Sequence, residues 1–209
     1  MSNSKQWLQE YFSDEFVKKA KIEGYISRAA YKLLEIQERD QLIKPGMLVV
    51  DLGCAPGGWS QVINEAVGTK GRVIGIDLLP MQAISGVEFI QGDFNEQAIL
   101  DLLINKISDG DNISTVDLVL SDMAPNISGQ KSIDQPRSVN LLELALDCAL
   151  KILKPRGGFF VKAFQGEGID AFIKEARQHF KTVKIRKPKA SRARSSEIYI
   201  LGMEFLGYN

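Results

Sequence analysis

Cysteine and histidine are nearly absent from this chain of 209 residues, which holds two of the first and one of the second. Cys54 and Cys148 have neither the number nor the short spacing of a disulfide framework or a metal site, and both read as small apolar residues. His179, near the polar end of a helical pattern, reads as a solvated surface group. No apolar run approaches the roughly 18 residues of a membrane span. The first ten residues are polar, without the apolar core of a signal peptide. These absences point to the cytoplasm, without a membrane partner or a bound metal. Internal repeats, low-complexity tracts and interdomain linkers are also missing. The remainder is ordinary globular composition, 44% hydrophobic and 25% charged, enough for one α/β domain over residues 1–209 with residues 1–44 as an N-terminal helical extension. Nothing suggests a dedicated interface, so a monomer is expected.

Net charge is zero, but it is unevenly spread. Residues 45–180 carry 11 basic and 17 acidic side chains, whereas residues 181–209 carry 7 and 2. Lys181, Lys184, Arg186, Lys187, Lys189, Arg192 and Arg194 follow one another without an intervening acid, which suits a polyanion. The stretch Ser191-Arg192-Ala193-Arg194-Ser195-Ser196 reads as a flexible loop whose arginines and hydroxyls can grip phosphates. Nucleic acid is the leading partner.

Periodicity predicts strands near residues 47–52, 72–77, 87–90, 116–121, 158–163, 182–186 and 197–206. An N-terminal helical region precedes them over residues 5–39, closed by Lys44-Pro45-Gly46. Further helices are expected over residues 95–107 and 137–153, the second stopped by Lys154-Pro155-Arg156-Gly157-Gly158. Strands alternating with helices predict a doubly wound, mainly parallel seven-stranded sheet with helices on both faces, its ligands beyond the carboxyl ends of the strands.

The most informative stretch is Val49-Val50-Asp51-Leu52-Gly53-Cys54-Ala55-Pro56-Gly57-Gly58-Trp59-Ser60, an apolar strand, a glycine-rich turn and a helix start. A dinucleotide fingerprint places glycines first, third and sixth to seat a pyrophosphate. Here they fall first, fifth and sixth from Gly53, which resembles the first motif of S-adenosylmethionine-dependent methyltransferases. Two later strands also end in acids. Asp77 stands where α/β folds accept hydrogen bonds from ribose hydroxyls, and Asp93 where an exocyclic adenine amine can donate. Together with the turn they outline a nucleoside pocket.

The acceptor is sought after the fourth strand, in Ser121-Asp122-Met123-Ala124-Pro125-Asn126. Enzymes that methylate exocyclic base nitrogens need an aromatic ring here to stack the flipped base, and none is present. Methylation of a pyrimidine carbon needs a cysteine nucleophile, and neither cysteine is placed for it. An oxygen acceptor remains. A hydroxyl is a poor nucleophile and needs a group that takes or offsets its proton. Lys162 interrupts an apolar strand, where a charge is costly without partners. Asp122 ends the neighbouring strand, Glu197 opens a later one, and Lys32 lies on a helix expected to be capped by Ser27.

Lys32, Asp122, Lys162 and Glu197 match the Lys-Asp-Lys-Glu tetrad of ribose 2′-O-methyltransferases. The chain resembles the bacterial FtsJ/RrmJ type over nearly its whole length. The resemblance is carried by the turn above and by Ser27-Arg28-Ala29-Ala30-Tyr31-Lys32-Leu33, Val161-Lys162-Ala163-Phe164-Gln165-Gly166-Glu167-Gly168 and Arg186-Lys187-Pro188-Lys189-Ala190-Ser191-Arg192-Ala193-Arg194-Ser195-Ser196-Glu197. It implies methylation of a uridine 2′-hydroxyl in the A-loop of 23S ribosomal RNA within the 50S subunit, with S-adenosyl-L-homocysteine as by-product. Gly57, Trp59, Asp77, Asp93 and Asp122 would contact the cofactor. Lys162 would be the central catalytic group, supported by Lys32, Asp122 and Glu197. Arg28, Arg192 and Arg194 are the expected RNA contacts.

A lysine ordinarily titrates near ~10.4, so a neutral one at pH 7 needs a depression worth about 4 kcal/mol. Burial and the like charge of Lys32 favour that; Asp122 and Glu197 oppose it. Lys162 therefore either deprotonates the hydroxyl or orients it. Cap or transfer-RNA ribose methylation would use the same core motifs. A ribosome-assembly factor that binds RNA is the reading from another class.

Overall fold

The computed structural model describes residues 14–108, 116–192 and 194–207. Two helices come first, α1 (Glu15–Glu23) and α2 (Ala30–Asp40), followed by β1 (Leu48–Leu52), α3 (Gly58–Val67), β2 (Arg72–Asp77) and β3 (Val87–Gln91). Then come α4 (Gln97–Ile107), β4 (Val116–Ser121), α5 (Lys131–Ile152), β5 (Leu153–Phe164), α6 (Ile169–His179), β6 (Phe180–Arg186) and β7 (Glu197–Phe205). The strands form one seven-stranded sheet in the order β3-β2-β1-β4-β5-β7-β6. Pairing is parallel from β3 to β5, while β7 runs antiparallel to both β5 and β6. The strand order reverses between β1 and β4, the place where open α/β sheets leave a crevice for ligands.

Side chains alternate across a strand, and the alternation sorts the core into two layers. Val49, Val73, Leu118, Leu120, Phe160, Tyr199 and Leu201 pack with α2 and α3. Val50, Ile74, Val119, Phe159, Val161, Ile198 and Ile200 face α4, α5 and α6. Burial on both sides is why the strands read as continuous apolar runs. Among the described residues, no helix is long and apolar enough to cross a membrane.

Several expected boundaries move. The part of the N-terminal helical region within residues 5–13 lies outside the described residues. The rest is two helices: Gly24, at φ 81°, ends α1, and Gln41 in the left-handed region ends α2, ahead of Lys44-Pro45-Gly46. Ser27 does not cap α2 with its side chain. The cap position is Ala29, and Ser27 instead accepts from the Ala30 N–H through its carbonyl. Helix α5 starts at Lys131, ahead of the expected 137, and carries Pro136 internally. One intrahelical bond is lost near the N-terminus, which a helix of 22 residues absorbs. The segment 154–158 ends the helix as expected but is already part of β5, where a register shift opposite Val116 and Leu118 and a positive φ at Arg156 mark a bulge. Cys54 and Cys148 are free and buried. Burial pushes both thiols up, that of Cys148 to about 12.

Candidate active site

The edge expected to hold the cofactor is built by three adjacent strands. Asp77 ends β2, Asp93 follows β3, and the turn from Gly53 to Gly58 follows β1, so these groups line one rim of the sheet. The glycines of the turn have no room for a side chain: a Cβ at Gly53 (φ +73°) would lie 2.3 Å from Met123 Cγ, and one at Gly57 (φ +115°) would lie 2.6 Å from Ile84 Cδ1. Asp77 accepts from the Ala55 N–H (2.8 Å) through Oδ2 and from the Leu79 N–H (2.8 Å) through Oδ1. Each carboxylate oxygen has a second lone pair for a ribose hydroxyl. Asp93 Oδ1 accepts from Asn95. This cradle fits a nucleoside that must come close to the backbone of the turn.

Trp59 serves that cradle differently from a side-chain contact. Its indole is 3% exposed, stacks on Phe160 at 5.6 Å and donates to the Ala29 carbonyl (2.9 Å). The ring thereby braces α3 against α2. What Trp59 presents to the turn is its backbone N–H in the first helical turn, where N–H groups have no intrahelical acceptor.

Asp51, expected as a strand-end carboxylate, is fully buried. Ser60 Oγ donates to its Oδ2 (2.7 Å), whereas Oδ1 meets no donor among the described residues. Burial above all, then the charges of Asp122 and Asp77, push its carboxyl up to about 7, against the lowering bond from Ser60.

The four tetrad residues converge into one network. Lys162 on β5 pairs with Asp122 just beyond β4 (Nζ to Oδ1, 3.1 Å) and also donates to the Asp122 carbonyl. Lys32 on α2 pairs with Glu197 at the start of β7 (2.8 Å). Sequence reasoning missed the link between the two pairs. In the antiparallel register Lys162 lies opposite Tyr199, and the Tyr199 hydroxyl contacts both Asp122 Oδ1 (3.0 Å) and Glu197 Oε1 (3.2 Å). Burial and the two carboxylates raise the tyrosine pKa well above its usual value, so it stays a donor. Burial raises the Glu197 carboxyl, but the Lys32 ammonium and bonds from Lys32 and Ser191 outweigh it and hold that group below the usual range. Glu197 is thus an anion with assigned partners on both oxygens: Lys32 on Oε2, and Ser191 (2.7 Å) with Tyr199 on Oε1.

The match to known proteins agrees with this geometry. Residues 25–205 match the model of the FtsJ-like methyltransferases. The chain belongs to the FtsJ-like methyltransferase family. A protein from Coxiella burnetii named ribosomal RNA large subunit methyltransferase E is 59% identical over all of this chain and 99% of its own length. A protein of the same name from Cellvibrio japonicus is 54% identical over 98% of this chain and 95% of its own. A solved structure described as a ribosomal RNA methyltransferase from Plasmodium falciparum is 32% identical, with a TM-score of 0.73 over 88% of this chain and all of that one. Fibrillarin from Aeropyrum pernix, solved with natively bound S-adenosyl-L-methionine, shares the fold at 16% identity and a TM-score of 0.56 over 86% of this chain and 75% of that one.

The three arginines expected on RNA are not equivalent in this FtsJ-like chain. Arg28 pairs with Asp14, donates to the Ala190 carbonyl and lies 5.7 Å from the Phe16 ring. It braces the basic loop against α1, and its reach toward a long polymer is limited. Arg192 and Arg194 sit on that loop, Arg194 exposed. Ala190 and Ser191 are buried, so the predicted flexible stretch is anchored at its start. The basic run is also partly spent: Arg186 forms a bidentate pair with Asp40 (2.6 and 2.8 Å), and Lys181 bonds to Glu204 (3.0 Å).

Proposed function

We propose that this chain uses S-adenosyl-L-methionine to methylate the 2′-hydroxyl of a uridine in the A-loop of 23S ribosomal RNA, acting on the 50S subunit as a cytoplasmic monomer. It would do so as one domain over residues 1–209, with residues 1–44 as its helical extension. The observation that carries the reading is the bridged pair of lysine–carboxylate contacts at Lys162–Asp122 and Lys32–Glu197. It adjoins a rim fitted for a nucleoside, since Asp122 follows β4 directly beside the β1 turn. The names of the full-length relatives support the ribosomal RNA substrate. The nucleotide and the particle rest on the family resemblance.

The cofactor supplies an electrophilic methyl group on a sulfonium. Gly57, the Trp59 N–H, Asp77 and Asp93 would hold it, with Asp122 between cofactor and acceptor. Lys162 would orient the 2′-hydroxyl in line with the methyl carbon and take or offset its proton. Asp122 would position Lys162, and Lys32 with Glu197 would set local charge and the ribose pose. Orientation alone can contribute about 7–11 kcal/mol in well-aligned intramolecular reactions. Preorganised charge at the developing oxyanion adds to it.

The decisive experiment uses methyl-labelled cofactor with free ribosomal RNA or with 50S subunits from cells lacking the modification, followed by nucleoside digestion. Label in 2′-O-methyluridine from 50S subunits is expected. Label on a base would overturn the ribose assignment. No label, with cofactor binding intact, would favour an RNA-binding assembly factor.

RNA affinity should fall with salt. Each neutralised phosphate contributes a slope of about 0.7–0.9 in log K against log salt. Arg194→Gln is therefore expected to flatten the slope by about one such increment. An unchanged slope would remove Arg194 from the RNA surface.

A further inference from the structure

The face of β5 that carries Lys162 ends on an aromatic ring. Val161 and Ala163 belong to the layer under α4, α5 and α6, whereas Phe160 packs with α2 and α3, so Phe160, Lys162 and Phe164 share the α2 side of the strand. Phe160 is buried and stacks on both Trp59 (5.6 Å) and Tyr199 (5.1 Å). Phe164 differs. It is only half-buried, packs against neither core layer and makes no ring contact among the described residues. A lone half-exposed apolar side chain is ordinary on a protein surface; the position of this one is not. Phe164 is the last residue of β5, at the carboxyl edge where a doubly wound sheet receives ligands. It lies two residues beyond Lys162, about 7 Å along the strand, and directly opposite Glu197 in the antiparallel register. Residues opposed in this way keep their Cβ atoms about 5 Å apart, so the ring is flanked by one member of each lysine–carboxylate pair. The backbone beside it is fixed: the Gln165 N–H donates to the Ser196 carbonyl (2.8 Å), and the Gln165 carbonyl accepts from Gln135 Nε2 (3.3 Å). Little freedom remains to be lost when a ligand covers the ring.

We infer that Phe164 is the platform on which the base of the acceptor nucleotide stacks. The inference rests on the ribose methylation reading and deepens it. The base is bonded to C1′, next to the carbon that bears the 2′-hydroxyl. A hydroxyl held at Lys162 therefore brings its base to the rim beside that lysine, where Phe164 offers its uncovered face. A single ring bordered by charged side chains is too small for an apolar protein partner, but it matches a flat heterocycle carried on a charged backbone. Unpaired RNA bases are held on aromatic side chains in this way, with little regard to which base is present. Held at both hydroxyl and base, the ribose cannot turn out of line with the methyl group.

The test is fluorescence anisotropy of the full-length protein, saturated with S-adenosyl-L-homocysteine, with two dye-labelled oligomers: pentauridylate, and the same ribose-phosphate chain with every base replaced by hydrogen. Charge and 2′-hydroxyls are equal in the two, so the ratio of their Kd values reads the bases alone. The wild type is expected to prefer pentauridylate by about 5- to 150-fold, the range of one base–aromatic stack. Phe164→Leu keeps an apolar side chain without a π face. It should bring the preference within about twofold and leave binding of the baseless oligomer unchanged, whereas Phe164→Tyr and Phe164→Trp should retain the preference. Equal binding of the two oligomers by the wild type overturns the proposal. So does a preference that survives in Phe164→Leu, an equal weakening of both oligomers in that variant, which marks a purely structural residue, or a Kd above about 1 mM for both. The outcome is separable from that of the labelling experiment: methylation of a base with an intact, Phe164-dependent preference sinks the ribose assignment alone, and label in 2′-O-methyluridine without that preference sinks the platform alone.

Discussion

Lys162→Ala should lose about 10²–10⁴ of the single-turnover methylation rate, the range of a positioned acid–base group, with much smaller changes in RNA and cofactor affinity. Lys162 is 9% exposed and bonded to both the side chain and the carbonyl of Asp122. Its removal leaves the half-buried Asp122 carboxylate without a cation and, on the proposed mechanism, the 2′-hydroxyl without its orienting group. Lys162→Arg divides the two roles, because an arginine keeps charge and reach but cannot give up its proton. A pH–rate profile of the arginine variant near wild type at neutral pH would exclude obligatory proton abstraction. A variant as slow as alanine at every pH would support it, provided cofactor affinity is retained. An alanine variant within about tenfold of wild type would place the chemistry on another group.

The second large effect concerns stability. Asp51 has a folded-state pKa raised from 3.8 to about 7 by burial. The folded state therefore binds more protons than the unfolded one between those values, and stability falls as pH rises through that window. The contribution is present below the unfolded pKa and is lost as pH approaches the folded one. Asp51→Asn removes the titration while keeping an acceptor for Ser60 Oγ. Urea unfolding of both proteins at pH 5 and pH 8 should show the variant gaining about 3 kcal/mol relative to wild type at the higher pH. Carboxyls shifted downward, such as Glu197 and Asp40, oppose this trend in each protein and cancel in the comparison. Parallel curves at both pH values would place the Asp51 carboxyl in the ordinary range.

The sheet and the residues along its rim were legible because a parallel strand buried on both faces writes itself as a short apolar run, and the residues that end it stand out. Gly53, Asp77 and Asp93 are such endings. Lys162 was legible for the opposite reason, as a charge inside an apolar run. Tyr199 was not, since an aromatic residue in an alternating strand is ordinary, and its role appears only when β7 lies against β5 in the register that puts it opposite Lys162. Trp59 sits at the expected place, yet its ring faces the core; periodicity cannot say which way a helix turns its first side chains. The basic run overstated the free charge, because Asp40, which binds Arg186, lies 146 residues away. The helix expected from residue 137 begins at Lys131 and takes Pro136 inside it, because one lost bond is a small part of a helix of 22 residues.

Strand β7 carries a consequence for the chain as it is made. It is the last strand in sequence but sits between β5 and β6, so β6 has no neighbour in the sheet until β7 arrives. Synthesis proceeds from the N-terminus, so Glu197 and Tyr199 emerge after every other strand of the sheet. A nascent or prematurely terminated chain can display the glycine turn, Asp122 and Lys162 and still lack the bridge between the two lysines. The link between the two lysine pairs thereby waits for β7, and a fragment ending before that strand would hold Lys162 and Lys32 without the Glu197 carboxylate and Tyr199 hydroxyl that join them.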